Sequence, residues 1–138
     1  MSESPPPKPL PVVDTETRPF WEGARHNKLM LQRCAACRKY VFYPRALCTH
    51  CHSARLDWVE ASGEGTIHSF TIARRPAGPA FQADVPYVVA LIDLKEGVRM
   101  MSNVVTDDVE SVRIGQRVHV VFDPVSAEIS LPKFKVVE

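Results

Sequence analysis

All four cysteines of the chain stand at Cys34, Cys37, Cys48 and Cys51, a Cys-x2-Cys pair repeated after a ten-residue spacer. Two residues between cysteines let one turn aim two sulfurs at the same ion, with backbone N–H groups turned toward them. Two such turns supply the four thiolates that zinc takes in a tetrahedron. A cluster confined to 18 consecutive residues is a metal pattern more than a disulfide framework. A redox dithiol would use one pair and leave the second without a role. Iron accepts the same ligands, so zinc and iron both stay open at this point. Four protein ligands close the coordination sphere, and the expected site is one structural ion rather than a catalytic one. His50 and His52 flank the second pair, but the paired cysteines are complete without them. Arg38 and Lys39 follow the first pair and offer positive charge beside a cluster that carries about −2 once a divalent ion is bound.

The elements that must position these sulfurs follow from the neighbouring residues. Leu29 to Arg33 reads as a strand entering the first pair, Lys39 to Pro44 as a strand leaving it, and Leu56 to Ala61 as a third. Strand, knuckle, strand, knuckle, strand is the layout of a zinc ribbon over residues 29–61. Ahead of it, residues 17–28 predict a short helix, with Thr17 as its cap and Pro19 in the first turn. Phe20, Trp21 and Ala24 fall at helical spacing and make one apolar stripe. A helix this short must dock on something. Phe20 and Trp21 are candidates for a partner surface, the alternative being that they pack on their own domain. Residues 1–16 are a proline-rich tail of flexible or polyproline character, with Pro5, Pro6, Pro7, Pro9 and Pro11.

Ser62-Gly63-Glu64-Gly65 signals a turn and a second unit over residues 62–138. Five strands are predicted there: Thr66 to Ala73, Tyr87 to Leu94, Arg99 to Val105, Arg117 to Pro124 and Ile129 to Val137. Glu96-Gly97 is a hairpin turn between the second and third. The apolar run Val88 to Ile92 predicts a central strand buried on both faces. Asp107 to Gly115 is too short and polar for a large helix. Mainly β structure, with five short strands after a ribbon, predicts a small closed barrel of the OB type.

Composition narrows the function. A net charge of +1 is not the basic excess of a phosphate-gripping domain. No stretch approaches the ~18 apolar residues of a membrane span, and no secretory h-region is visible, which predicts a cytoplasmic protein. Independent catalysis finds no support. No Ser-His-Asp order with motif context and no glycine-rich phosphate loop appears. His68 and His119 fall on predicted strands, and Asp107-Asp108 reads as a polar turn.

Several segments together carry a resemblance. They are Phe20-Trp21-Glu22-Gly23-Ala24, Leu29-Met30-Leu31-Gln32-Arg33-Cys34, Pro44-Arg45, Cys48-x2-Cys51, Gly63-Glu64-Gly65-Thr66-Ile67 and Ser69-Phe70-Thr71. The chain resembles, over residues 17 to 137, the family of small proteins that join a rubredoxin-like zinc ribbon to an OB-fold. That family was long labelled only as a domain of unknown function. One departure is local: family knuckles often place glycine after the second cysteine of a pair, where this chain has Arg38 and His52, which predicts looser N–H bonding to the sulfurs.

The resemblance implies a non-catalytic accessory subunit that assembles with a thiolase-like acyl-CoA enzyme and helps to bind or channel the acyl-CoA. A coenzyme A thioester asks for a few cations and an apolar channel. Under that implication Arg74, Arg75, Lys133 and Lys135 are candidate phosphate contacts, and Phe81 a cover for the ligand. Each is otherwise an ordinary surface side chain. The other function class is a single-strand nucleic-acid or protein-interaction module. It is weakened by an aromatic content of 8%, because Phe70, Tyr87, Phe122 and Phe134 have a better claim as core than as stacking platforms.

Overall fold

The computed structural model describes residues 7–137. The proline-rich tail therefore lies partly outside the described residues, and residues 7–13 run without helix or strand.

Helix α1 spans Arg18–Arg25. Pro19 sits in its first turn, where a missing N–H costs nothing. Thr17 takes the N-cap position but its hydroxyl does not cap the helix. It is turned back to Asp14, whose Oδ1 accepts from Thr17 N at 2.9 Å and from Thr17 Oγ1 at 3.0 Å. The helix stops where Asn27 enters the left-handed region at φ 62° and Lys28 N bonds back to Gly23 O.

The ribbon is a three-stranded antiparallel sheet of order β2-β1-β3. Its strands are β1 (Met30–Cys34), β2 (Tyr40–Val41) and β3 (Leu56–Glu60). The predicted strand Lys39 to Pro44 survives as only two paired residues, Val41 on Gln32 and Tyr40 on Arg33.

The remaining strands are β4 (Glu64–Ala73), β5 (Tyr87–Leu94), β6 (Arg99–Val104), β7 (Arg117–Pro124) and β8 (Ser130–Val136). They close a barrel in the order β4-β5-β6-β8-β7. Antiparallel pairing joins all neighbours except β6 and β8, which run parallel and share one residue pair, Val104 with Phe134. Pro132 brings no N–H to that seam, and Ser102 Oγ donates to Pro132 O at 2.8 Å. Closure of β4 between β5 and β7 brings backbones close at Gly65, where a Cβ would stand 2.7 Å from Ile92 Cγ2 and 2.9 Å from Asp93 O. The turn at Gly97 (φ 97°) joins β5 to β6 as the sequence predicts. Between β6 and β7 the chain makes one short 3-10 turn, Val109–Ser111.

Strand β5 corrects one expectation. Its burial alternates, with Val88, Ala90, Ile92 and Leu94 inside and the residues between them half-buried. A small barrel has one filled interior and no second layer outside β5, so a continuous apolar run there does not mean burial on both faces. The interior is filled by Ile67, Val88, Ile92, Val104, Val118 and Phe134. The same buried cluster takes in Phe20, Trp21 and Ala24 of α1 and Leu29 and Leu31 of the ribbon. The ribbon's entry and the barrel thus share one core. Among the described residues no helix is long and apolar enough to cross a membrane.

Candidate functional site

The four cysteine sulfurs lie within 4.8 Å of one another. Cys34 Sγ stands 3.5 Å from Cys51 Sγ, and Cys37 Sγ 3.7 Å from Cys48 Sγ. Zinc–sulfur bonds of ~2.3 Å in a tetrahedron require sulfurs ~3.8 Å apart, so the arrangement fits one four-coordinate ion with no vacant position. Zinc in such a site supplies a fixed junction between the two knuckles and no chemistry on a substrate.

Local structure explains how the sulfurs converge. Strand β1 delivers Cys34. The chain then turns so that Cys37 N donates to Cys34 Sγ at 3.4 Å and Arg38 N to Cys34 O at 2.8 Å. The second knuckle repeats this, with His50 N on Cys48 Sγ at 3.3 Å and His52 N on Cys48 O at 2.9 Å. Arg38 and His52 both occupy the left-handed region, at φ 66° and 64°. Both knuckles close as turns and keep an N–H···S bond, and the Arg38 and His52 side chains are accommodated at some conformational cost. His50 and His52 lie outside the four-thiol cluster; His50 Nε2 instead donates to Tyr40 O at 3.2 Å.

A residue that the sequence did not single out orients the spacer. Gln32 is buried on β1. Its side chain donates to Arg45 O and accepts from Arg45 N, both at 2.8 Å. It ties the segment between the two cysteine pairs to the ribbon sheet. No pattern signal marks a glutamine whose partners are backbone atoms thirteen residues away.

The thiols differ in acidity. The Cys37 N–H is the main reason that the Cys34 thiol is drawn down to about 6. Burial opposes ionisation of Cys48, but the N–H groups of Cys51 and His50 outweigh it and lower that thiol too. Cys51 receives a bond from Ser53 that favours the thiolate, yet the crowd of neighbouring sulfurs pushes it up to about 11.

A second candidate lies on the barrel. A cavity of about 370 Å³ opens between the 3-10 turn Pro79–Asp84, strands β5 and β6, and the β7–β8 hairpin. OB-folds take ligands at this place, on the second and third strands between the first and last loops. Phe81 and Lys133 both line it. Lys133 Nζ is paired with Asp123 at 2.7 Å, and Lys8 reaches the mouth from the N-terminal segment to pair with Asp84 at 2.5 Å. Arg74, Arg75 and Lys135 do not line it. Arg74 is tied to Glu110 beyond the end of β4, Arg75 is exposed on the same loop, and Lys135 stands opposite His119 farther along β8. The five candidates therefore do not form one site. Lys8, Asp84, Asn103 and Asp123 belong to the cavity without any signal in the sequence, because only the closed barrel brings them together.

Phe20 and Trp21 are 3% and 8% exposed. The expectation of an outward-facing docking pair is corrected: a short helix gains stability by burying its apolar stripe, and here the stripe faces the chain's own core, with the two rings meeting edge to face at 4.9 Å.

Comparison with known proteins places these features. The profile of the ChsH2 rubredoxin-like zinc ribbon domain matches residues 21–57, and that of the ChsH2 C-terminal OB-fold domain matches residues 58–123. A DUF35 domain-containing scaffold protein of Methanothermobacter thermautotrophicus is 36% identical over 83% of this chain and 86% of its own length. A probable enoyl-CoA hydratase alpha subunit of Thermomonospora curvata is 37% identical over 93% of this chain, which spans 40% of that protein's length. Among solved structures, a chain of the Ltp2-ChsH2(DUF35) aldolase superposes with a TM-score of 0.82 at 36% identity, covering 92% of this chain and 98% of that one.

Proposed function

The chain belongs to the DUF35 family, which joins a rubredoxin-like zinc ribbon to an OB-fold, and from that membership we propose a non-catalytic, zinc-bearing subunit that assembles with a thiolase-like acyl-CoA enzyme and helps to hold its thioester. The observation that carries the reading is the full-length match to the DUF35 chain of an aldolase assembly, which covers 98% of that chain. The hydratase relative supports it from a second direction, since its own name places it among CoA-thioester enzymes.

In this reading zinc holds the two knuckles through Cys34, Cys37, Cys48 and Cys51. The barrel-mouth cavity meets the thioester, with Lys133 near its polar portion and Phe81 against its arm. Arg74, Arg75 and Lys135 serve only if the partner extends the site toward them. A nucleic-acid role is less well supported. The net charge of +1 gives no basic excess for a phosphate backbone to follow, and Arg74, Lys95 and Arg99 each stand against a carboxylate.

The test is affinity purification of the tagged protein from its native cells, followed by mass spectrometry. A stoichiometric thiolase-like or related acyl-CoA enzyme is the expected companion. Recovery of nucleic acid with its processing enzymes, in a complex that dissolves steeply with salt, would replace this reading with the other.

A further inference from the structure

A second cavity, of about 360 Å³, lies where the helix, the ribbon and the barrel meet. Its walls are almost wholly apolar, built from Phe20, Trp21, Phe42, Tyr43, Met101 and Pro132. Asn103, Leu131 and Lys133 line both this cavity and the one at the barrel mouth. The three residues share the outer face of the β6–β8 seam, since the alternate positions Val104 and Phe134 point into the core. The two cavities are therefore the ends of one groove along the barrel exterior. From Met101 at one end to Val105, one residue past the end of β6, at the other, the extended chain covers about 13 Å. Charged and polar groups gather at the mouth: Lys8 with Asp84, Lys133 with Asp123, and Asn103. At the ribbon end the aromatic rings and the methionine collect.

One further observation points to an occupant. Met101 is 69% exposed and Tyr43 43%, a large apolar edge to leave in water.

We infer that the groove takes an elongated amphipathic thioester, with its apolar acyl chain in the pocket at the ribbon seam and its polar portion toward Lys133 and the barrel mouth. This rests on the acyl-CoA reading and adds to it a direction and a chain-length preference. Short acyl groups leave the seam pocket unfilled, while medium-length chains fill it. The ribbon thereby gains a role in ligand choice, because its Phe42 and Tyr43 form one wall.

The test titrates the full, zinc-loaded chain with three probes. They are acetyl-CoA, octanoyl-CoA, and the octanoyl thioester of N-acetylcysteamine, which carries the apolar arm without the nucleotide. Octanoyl-CoA is expected to bind at least about tenfold tighter than acetyl-CoA, the effect of burying two methylenes. Met101→Glu, at an exposed position that tolerates charge, should bring that ratio close to one. Ile114→Glu, at a comparably exposed position outside both cavities (68%), should leave it unchanged. CoA binding that ignores chain length overturns this inference and leaves the acyl-CoA reading standing. Binding of the cysteamine thioester that Met101→Glu abolishes, with no affinity for either CoA ester, keeps the apolar pocket and removes the acyl-CoA reading. No binding by any probe overturns the groove. So does a Met101→Glu variant that keeps the ratio but no longer recovers the partner enzyme, since the face is then a protein contact.

Discussion

In the ribbon, the side chains of the knuckles withdrawn from water are Cys34, Val41 and Cys48, and two of these three belong to the four-thiol cluster that could hold a metal. In the barrel, Ile67, Val88, Ile92, Val104, Val118 and Phe134 are buried around one another, and none of them ligates anything. The same chain therefore uses two sources of order. Around the knuckles a few coordinate bonds to the proposed metal would replace a core that some twenty residues cannot build. In the barrel, closure of five strands removes enough apolar surface to hold the fold without help. The helix and the start of β1 side with the barrel, because Phe20, Trp21, Leu29 and Leu31 belong to its buried cluster.

The largest break of this contrast is removal of the metal. Structural zinc contributes on the order of 10–16 kcal/mol of apparent binding free energy in isolated fingers, and the knuckles bury little besides Cys34, Val41 and Cys48. Chelation is expected to abolish amide-exchange protection between Cys34 and Leu56. Protection in β5 and β6 should persist, and Leu29 and Leu31 should stay protected with the barrel. Loss of protection throughout the chain would mean that the two regions are not separable.

Acid separates the regions by the same logic. Protons compete with the metal for every thiolate, so affinity falls as pH falls. Cys51, pushed up to about 11 in the metal-free cluster, gives up a proton on binding throughout the neutral range. Cys34, drawn down to about 6, adds a further proton only below that pH. The apparent metal affinity, measured against a competing chelator, should therefore fall more steeply below pH 6 than above it. A slope that stays constant through pH 6 would contradict the assignment of Cys34 as the most acidic thiol.

The opposite break is made inside the barrel. Phe134 is fully buried and stands at the one residue pair that joins β6 to β8. Phe134→Ala is expected to cost roughly 3–5 kcal/mol in unfolding free energy. The metal site should be spared for as long as the chain stays folded, since Phe134 belongs to the barrel's buried cluster and not to that of Cys34, Val41 and Cys48. A variant that loses metal affinity before it loses thermal stability would show the knuckles leaning on the barrel core.

How far the sequence foretold this arrangement differs between the regions for a physical reason. Metal ligation is local: two Cys-x2-Cys turns name their own candidate ligands, and the structure brings the four sulfurs within 4.8 Å of one another. The barrel strands announce themselves by short apolar runs between turn residues, and their bounds match the expected ones to within two residues. What the sequence could not display are consequences of closure. Val89 and Leu91 look like core until the barrel leaves their outer face without a covering layer. Arg74 and Lys133 look like equal cations until one is tied to Glu110 and the other lines a cavity with Asp123. Phe20 and Trp21 carry the same apolar stripe whether it faces a partner or the home core, and only the packing decides.

The smallest expected effect lies on the barrel's outer surface. Arg99 on β6 donates to Asp93 on β5 at 2.6 Å, and His68, at the irregularity in β4, stands 3.2 Å from the guanidinium. The bond from Arg99 is the main reason that the Asp93 carboxyl lies below its ordinary value of 3.8. A carboxylate whose acidity is strengthened by folding stabilises the fold above its unfolded pKa, and that contribution fades as pH falls through the folded value. Any loss should therefore appear only below about pH 4. All three side chains are more than two-fifths exposed, and an ion pair so hydrated is worth under about 1 kcal/mol. A double-mutant cycle of Asp93→Asn and Arg99→Ala should return a coupling in that range that shrinks in high salt. A coupling several times larger would mean that the barrel draws real support from its surface charges, and its contrast with the metal-held ribbon would then no longer be one of interior packing alone.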